Sequence, residues 1–153
     1  MDIEIKKINS LESEIVIELF DKYRIFYKQP SDIELAKTFI KERLEQNEAQ
    51  IYIAFVNENP KPIGFTLLYP KFSSVSARKN WHIGDLYVEI DQRKKGVGEK
   101  LLNTALHFAK NEGANFISLN TATDNYSAQN LYENFGFAEQ EYLSGYLYYQ
   151  FNF

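Results

Sequence analysis

The sequence of 153 residues contains no cysteine, and this excludes several kinds of chemistry. The chain has no disulfide bond, no thiolate ligand for a metal and no cysteine nucleophile. Nothing in it therefore requires an oxidising compartment. Its two histidines, His82 and His107, stand far apart in the sequence, so we expect each to be structural and predict no metal site.

Long apolar runs are also missing. No run approaches the roughly 18 residues that a membrane span requires. Residues 1–10 alternate charged and apolar side chains and lack the apolar centre of a secretion signal. We therefore expect a cytoplasmic protein that does not associate with membranes.

An excess of basic charge is missing as well. The 17 Lys and Arg residues are outnumbered by 21 Asp and Glu residues, and the formal net charge is −4. A chain of this charge is poorly suited to a phosphate backbone, so we expect no nucleic-acid partner. The negative balance suits a cationic small substrate, but it also serves to keep a protein soluble.

The composition that remains is typical of a globular protein. Hydrophobic residues make up 44% of the chain and charged residues 25%, and no repeat or linker interrupts it. The length fits one domain spanning residues 1–153. Aromatic residues reach 16%, which suggests an aromatic-lined core, pocket or interface.

Hydrophobic periodicity predicts alternating strands and helices. Helices are expected over residues 11–27, from a cap at Ser31 or Asp32 to about 46, over 97–112 and over 127–134. Strands are expected around 3–8 and over 51–56, 63–69, 81–90 and 116–119, with a polar loop over 70–80. The aromatic tail 142–153 alternates like strands about a turn at Ser144-Gly145. This order predicts an α/β fold with a mixed, mainly antiparallel central sheet flanked by helices.

The most informative segment follows the predicted strand 81–90 and opens the helix at residue 97. Gly96 and Gly98 let the backbone bend sharply and approach a ligand closely. The first turn of the helix leaves up to four peptide N–H groups unpaired and adds partial positive charge. Arg93, Lys94 and Lys95 place cations beside it. The segment therefore has the parts of a phosphate or pyrophosphate site.

Other phosphate-binding loops differ from this segment in spacing. A P-loop needs four residues between its glycines and then Gly-Lys-Ser/Thr, which residues 96–99 do not supply. A dinucleotide-binding turn needs a small residue where Leu101 stands. On these residues alone, a basic turn exposed to solvent is an equally good interpretation.

Two ordered motifs resemble the GNAT superfamily of N-acetyltransferases. The coenzyme A loop of that family has the pattern Gln/Arg-x-x-Gly-x-Gly/Ala, which is matched by Arg93-Lys94-Lys95-Gly96-Val97-Gly98. The family's second signature is resembled by Asn125-x-x-Ala128-x-x-Leu131-Tyr132-Glu133-x-x-Gly136-Phe137. The resemblance covers essentially the whole chain. It implies a GNAT fold with an acetyl-CoA cleft where two adjacent strands splay apart.

The resemblance also implies cofactor contacts. Backbone groups of Leu86, Tyr87 and Val88 would hold the pantetheine arm, which Asn125 would also contact. The pyrophosphate would be bound by the peptide N–H groups of Lys94, Lys95, Gly96, Val97, Gly98 and Glu99, with the side chains of Arg93 and Lys95 facing phosphate. Tyr132 would contact the cofactor and protonate the departing thiolate of CoA. A helix cap at Asn125 and a core aromatic at Tyr132 are the structural alternatives.

The acceptor's ammonium group must lose a proton before it reacts. Asp85, just ahead of the Leu-Tyr-Val strand, is the expected carboxyl group for this, directly or through a water, unless it only attracts the cation. Polyamine-type relatives resemble this region but tend to carry an acidic pair, and the first position of that pair is Gly84 here. The candidate acceptor contacts are Tyr23, Arg24, Tyr27, Ser73, Ser74, Trp81 and Asp85 itself.

These inferences predict an enzyme that transfers acetyl from acetyl-CoA to a primary amine. A small cationic amine, such as a polyamine, a diamine or an amino-acid derivative, is the expected acceptor. Without cysteine, we expect direct transfer in a ternary complex. The alternatives are acetylation of lysine in a protein or peptide, and a non-catalytic acyl-CoA-binding module. The aromatic tail has more apolar surface than one sheet face needs, which predicts a homodimer.

Overall fold

The computed structural model describes residues 1–140 and 145–153. Contacts divide the chain into two compact units, Met1–Asn120 and Thr121–Phe153, and each is described by itself. The single domain over residues 1–153 stays a prediction. No helix within the described residues is both long enough and apolar enough to cross a bilayer.

The first unit contains a five-stranded sheet. Its strands, in chain and spatial order, are β1 (Ile3–Lys7), β2 (Gln50–Val56), β3 (Pro62–Ser73), β4 (Arg78–Val88) and β5 (Ile117–Leu119). The first four strands pair antiparallel, and β5 pairs with β4 in parallel. The prediction of a mixed, mainly antiparallel sheet is confirmed.

Three helices belong to the same unit. They are α1 (Ile17–Phe26), α2 (Ile33–Glu45) and α3 (Val97–Asn111). The predicted helix 11–27 begins as a 3-10 helix, Ser10–Val16, because Asn9 and Glu12 form a capping box that starts it early. Asp32 caps α2 by accepting a hydrogen bond from the Leu35 N–H at 3.0 Å, which confirms one of the two predicted caps.

The two faces of the sheet are covered by different helices. The cluster formed with α1 and α2 includes the buried sheet residues Ile51, Ile53, Phe65, Leu67 and Tyr87. On the other face, the ring of Phe108 in α3 contacts the rings of Tyr52 and Trp81, at 6.1 and 4.8 Å between centroids. Burying a side chain such as Phe65 completely contributes about 1.5–3 kcal/mol. The strands β2 and β4 therefore contact both helix layers.

The loop predicted over residues 70–80 is confirmed only for residues 74–77, and the prediction was wrong for 70–73 and 78–80. The strands β3 and β4 extend into this region and pair from Pro70 opposite Trp81 to Ser73 opposite Arg78. The polar composition suggested a loop, but the pairing is supported by side-chain contacts across the strands. The ammonium group of Lys79 lies 5.8 Å from the centroid of the Phe72 ring and 4.8 Å from that of Trp81.

The second unit contains α4, Tyr126–Phe135. Asn125 caps this helix by accepting a hydrogen bond from the Ala128 N–H at 3.2 Å, and Gly136 ends it with a φ of 116°. The helix predicted over 127–134 is confirmed. The strands predicted in the tail were wrong for residues 146–153, which form no strand and are exposed. Among the described residues, none pairs with this segment as a strand partner. Residues 142–144 lie outside the described part.

Candidate active site

A β-bulge at Gly84 determines which face of the sheet Asp85 reaches. Consecutive residues of β3 pair with Asp85 and Ile83, so Gly84 is an extra residue in β4. Side chains alternate along a strand, and one extra residue reverses the alternation beyond it. Trp81 therefore lies on the α3 face, whereas Asp85 lies on the face covered by α1 and α2.

Asp85 is a buried carboxyl group, and only 7% of the residue is exposed. Its Oδ2 atom has no hydrogen-bond partner among the residues that the structure describes. Burial disfavours the charged form and raises the pKa of Asp85 to about 7, although the nearby Tyr23 hydroxyl opposes part of this rise. A carboxyl group with such a pKa can accept a proton near neutral pH, as a general base does.

Tyr23 of α1 connects the helix layer to the bulge. Its hydroxyl donates a hydrogen bond to the carbonyl oxygen of Gly84 at 3.0 Å, and the same hydroxyl is close enough to Asp85 to interact with the carboxylate. Burial, and then the charge of Asp85, raise the pKa of Tyr23 above its ordinary value. The phenol therefore stays protonated and can act as a donor at neutral pH.

Tyr69 of β3 is the site residue that sequence reasoning missed. Its ring lies directly over Gly84, where an added Cβ would stand 2.5 and 2.7 Å from two ring atoms. Burial and the nearby charge of Asp85 raise the pKa of Tyr69 to about 12. The sequence contains only a weak signal for this contact, because Tyr69 and Gly84 become neighbours only when β4 forms a bulge against β3.

The pairing of β4 with β5 ends beside this cluster, because β5 stops at Leu119. Within the described part of the chain, they pair only from Trp81 opposite Ile117 to Ile83 opposite Leu119, while β4 continues to Val88. The backbone of Leu86, Tyr87 and Val88 thus extends past the last β5 partner. An edge of this kind can form hydrogen bonds with an extended ligand.

The loop before α3 has the geometry expected for an anion site. Lys94 has a φ of 60° and Gly96 a φ of 86°, so the chain turns sharply into the helix. The first helical hydrogen bond runs from the Lys100 N–H to the Gly96 carbonyl at 3.1 Å, which leaves the preceding N–H groups of the first turn without a helical acceptor. No described atom lies within 4 Å of an added Cβ at Gly96. The loop therefore has room for a diphosphate, and these residues fit the nucleotide end of CoA.

Arg93 joins the loop to the sheet. Its Nε donates a hydrogen bond to the carbonyl oxygen of Val88 at 2.9 Å. The guanidinium lies 5.7 Å from the centroid of the Tyr87 ring and 5.9 Å from that of Phe26. At least part of this side chain positions the loop, whereas Lys94 and Lys95 are exposed beside it. The predicted contacts of Arg93 and Lys95 with phosphate stay predictions.

The other predicted acceptor residues fall in different places. The ring of Tyr27 lies 4.9 Å from that of Tyr23, so it is near the Asp85 cluster. The Nη1 atom of Arg24 is buried and has no hydrogen-bond partner within the described residues.

Two groups of predicted acceptor residues lie away from Asp85. Trp81 is buried against α3 on the opposite face of the sheet, because the bulge at Gly84 reverses the side-chain alternation between Trp81 and Asp85. Ser73 is the last residue of β3, and Ser74 begins the turn that connects β3 to β4.

Two predicted site residues belong to the second unit. Asn125 caps α4, as described above, and thus has the local structural role that sequence reasoning considered. The ring of Tyr132 lies 6.0 Å from that of Phe137, at an interplanar angle of 64°. The roles of Asn125 and Tyr132 towards a cofactor stay predictions.

Comparison with known proteins identifies the family. A model of the acetyltransferase (GNAT) family matches residues 14–137. An uncharacterized N-acetyltransferase of Bacillus subtilis (strain 168), YhfO, is 40% identical over 148 residues, which cover 97% of this chain and 96% of that protein. The crystal structure of a probable acetyltransferase is 33% identical with a TM-score of 0.88, covering 98% of this chain and 97% of the other.

A more distant structure shares the fold. It is the aminoglycoside N-acetyltransferase AAC(6')-Iy in complex with CoA, at 18% identity and a TM-score of 0.81, covering 97% of this chain and 94% of that one. The sheet, the loop before α3 and the matched family model agree with the resemblance seen in the two motifs. The chain therefore belongs to the GNAT acetyltransferase family and is an acetyl-CoA-dependent N-acetyltransferase.

Proposed function

We propose that the chain acetylates the primary amine of a small cationic acceptor, a polyamine, a diamine or an amino-acid derivative, by direct transfer in a ternary complex. The observation that carries this proposal is the buried Asp85 carboxyl group, whose Oδ2 has no partner among the described residues. An ammonium group would supply the missing hydrogen bond and the opposite charge. Tyr23 and Tyr27 would line the approach, and Arg24 would lie close by.

Asp85 would remove the proton from the acceptor. Its Oδ2, directly or through a water, takes a proton from the ammonium group, and the freed nitrogen lone pair forms the new bond to the acetyl carbon. A carboxylate of ordinary pKa is a weak base for this step, and the pKa of about 7 makes it a better one. Acetyl-CoA supplies the acetyl group, and the bond from its carbonyl carbon to sulfur breaks.

The proposed cofactor contacts come from four segments of the chain. Backbone groups of Leu86, Tyr87 and Val88 hold the pantetheine arm, and the loop 93–99 holds the pyrophosphate. Asn125 contacts the arm. Tyr132 donates its hydroxyl proton to the departing sulfur. The acylated nitrogen then loses its second proton, which returns through water to the Tyr132 oxygen, and the proton held by Asp85 passes to solvent. The products are the neutral amide, CoA with its thiol protonated and one released proton. What supports these roles is the match of both motifs to the family and the geometry of the loop at Gly96.

Free CoA release with a thiol reagent tests the proposal on a panel of amines. We expect turnover with diamines, polyamines or amino-acid amines and little with lysine peptides. Preference for lysine peptides would instead indicate a protein acetyltransferase. Tight CoA binding without turnover on any amine would indicate a binding module.

Tyr132→Phe should lower kcat by about 10²-fold or more with little change in CoA affinity, because a general acid is lost.

We also propose that the protein is a homodimer, which the exposed tail supports. Leu147, Phe151 and Phe153 are each more than 80% exposed, and such apolar surface commonly marks an interface. Light scattering should give twice the mass of one chain, and removal of residues 146–153 should give the monomer. A monomer at every concentration would contradict this. The cytoplasmic location stays a prediction of the sequence.

A further inference from the structure

We infer that Tyr69 is a positioning residue for the transfer reaction, because its ring holds the Gly84 bulge that directs the Asp85 carboxyl group into the acceptor site. This inference rests on the proposed role of Asp85 as the base. Tyr69 itself touches the peptide of Gly84, and it acts on the reaction only through Asp85.

The contact with Gly84 leaves no space between ring and backbone. An added Cβ at Gly84 would meet Cε2 of Tyr69 at 2.5 Å and Cδ2 at 2.7 Å, distances that real side chains do not show. The same peptide has a second contact, with Tyr23, whose hydroxyl donates a hydrogen bond to the Gly84 carbonyl oxygen at 3.0 Å. The peptide of Gly84 is therefore held by an aromatic ring from β3 and by a hydroxyl from α1.

Holding the bulge matters because the register of β4 decides where Asp85 points. Moving a strand by one residue turns every side chain to the other face. If β4 paired regularly, with Gly84 opposite Leu67, Asp85 would stand opposite Thr66 on the α3 face with Trp81 and could not meet Tyr23. The aromatic ring at the bulge thus fixes both the position of the carboxyl group and its separation from water.

The charged and titratable groups around Asp85 come from several elements. Tyr23 faces it from α1 and Tyr69 from β3, while Arg43 of α2 acts on Tyr69 from further away. Because these neighbours include no carboxylate, burial is the main reason for the raised pKa of Asp85. Removing the ring of Tyr69 should admit water and lower that pKa.

The test measures the titration of the Asp85 carboxyl carbon by NMR in protein labelled with ¹³C-aspartate, assigned with Asp85→Asn. Tyr69→Leu removes the ring, and Gly84→Ala displaces it. In both variants we expect the titration midpoint to fall by about one pH unit or more. Tyr69→Phe keeps the ring and should keep the midpoint. Phe72→Leu, which removes an exposed ring from the same strand, is the matched control and should change nothing.

Kinetics provide a second readout. Tyr69→Leu should lower kcat by about 10-fold or more and shift the pH profile of kcat/KM to lower pH, with CoA affinity unchanged. The double variant Gly84→Ala/Tyr69→Leu should lose no more than either single variant, because both act on one contact. An unchanged midpoint in folded Tyr69→Leu or Gly84→Ala would overturn the inference. If the wild type acetylates no amine, the proposed function fails, and the NMR titration still decides the role of Tyr69.

Discussion

Asp85→Asn is expected to make the protein more stable above pH 7 while removing most of its activity. Asparagine has nearly the same shape but carries no charge, so it avoids the burial of a carboxylate whose Oδ2 lacks a described partner. The free energy of unfolding at pH 8 should rise by about 2–4 kcal/mol. The rate constant kcat should fall by about 10²-fold or more, since the proposed base is lost.

The sign of the pH dependence follows from the raised pKa of Asp85. The folded protein has a pKa of about 7 for this group, above the value near 3.9 of an unfolded chain. Between these values the folded state binds more protons than the unfolded state, so this group's contribution to stability is present below about pH 4 and lost as the pH rises through 7. The gain from Asp85→Asn should therefore be small at pH 4 and full at pH 8.

Denaturant unfolding of both proteins at several pH values measures this gain. Asp21→Asn is a matched control, because Asp21 is also a buried aspartate, with 4% exposure. Its carboxylate accepts hydrogen bonds from the Ser31 hydroxyl at 2.6 Å and the Asp32 N–H at 2.8 Å. Asp21→Asn should thus destabilise the protein by about 1–3 kcal/mol. A lower free energy of unfolding for Asp85→Asn at pH 8 would contradict this prediction, because it would show that the folded protein stabilises the charged carboxylate of Asp85.

The features that the sequence could predict are those encoded locally. A left-handed backbone at Gly96 follows from glycine at a strand-to-helix junction, and the structure has a φ of 86° there. The caps at Asp32 and Asn125 depend on side chains within three residues of the N–H they satisfy. Hydrophobic periodicity located the helices and most strands for the same reason.

The features that sequence reasoning missed depend on contacts between distant segments. Glycine inside a strand indicates a possible bulge, but the bulge at Gly84 is defined only by how β3 pairs with β4. The contact of Tyr69 with Gly84 follows from that register. The hydrogen bond from Arg93 to the Val88 carbonyl was not predicted either, because it depends on how the loop folds back onto the end of β4. Pro70 looked like a loop residue because its pairing partner is eleven positions away.

Gly96→Val is expected to weaken CoA binding by about 100-fold or more. Valine is strongly disfavoured at a φ of 86°, so the start of α3 must distort and its N–H groups must turn away from their common direction. The side chain would also enter the open space above the loop, where no described atom lies within 4 Å of the Cβ. Calorimetric titration should show a Kd for CoA raised by about 100-fold or more, equivalent to nearly 3 kcal/mol.

Gly113→Val separates loss of the site from general backbone strain. Gly113 follows the other end of α3 and has a φ of 81°, and it too has no described atom within 4 Å of an added Cβ. Valine there carries a similar strain but lies at the C-terminal end of the helix, where the dipole does not favour anions. Thermal melts should show similar destabilisation of both variants, with CoA affinity kept only in Gly113→Val. Equal loss of affinity in both, or normal affinity in Gly96→Val, would exclude the loop at Gly96 as the diphosphate site.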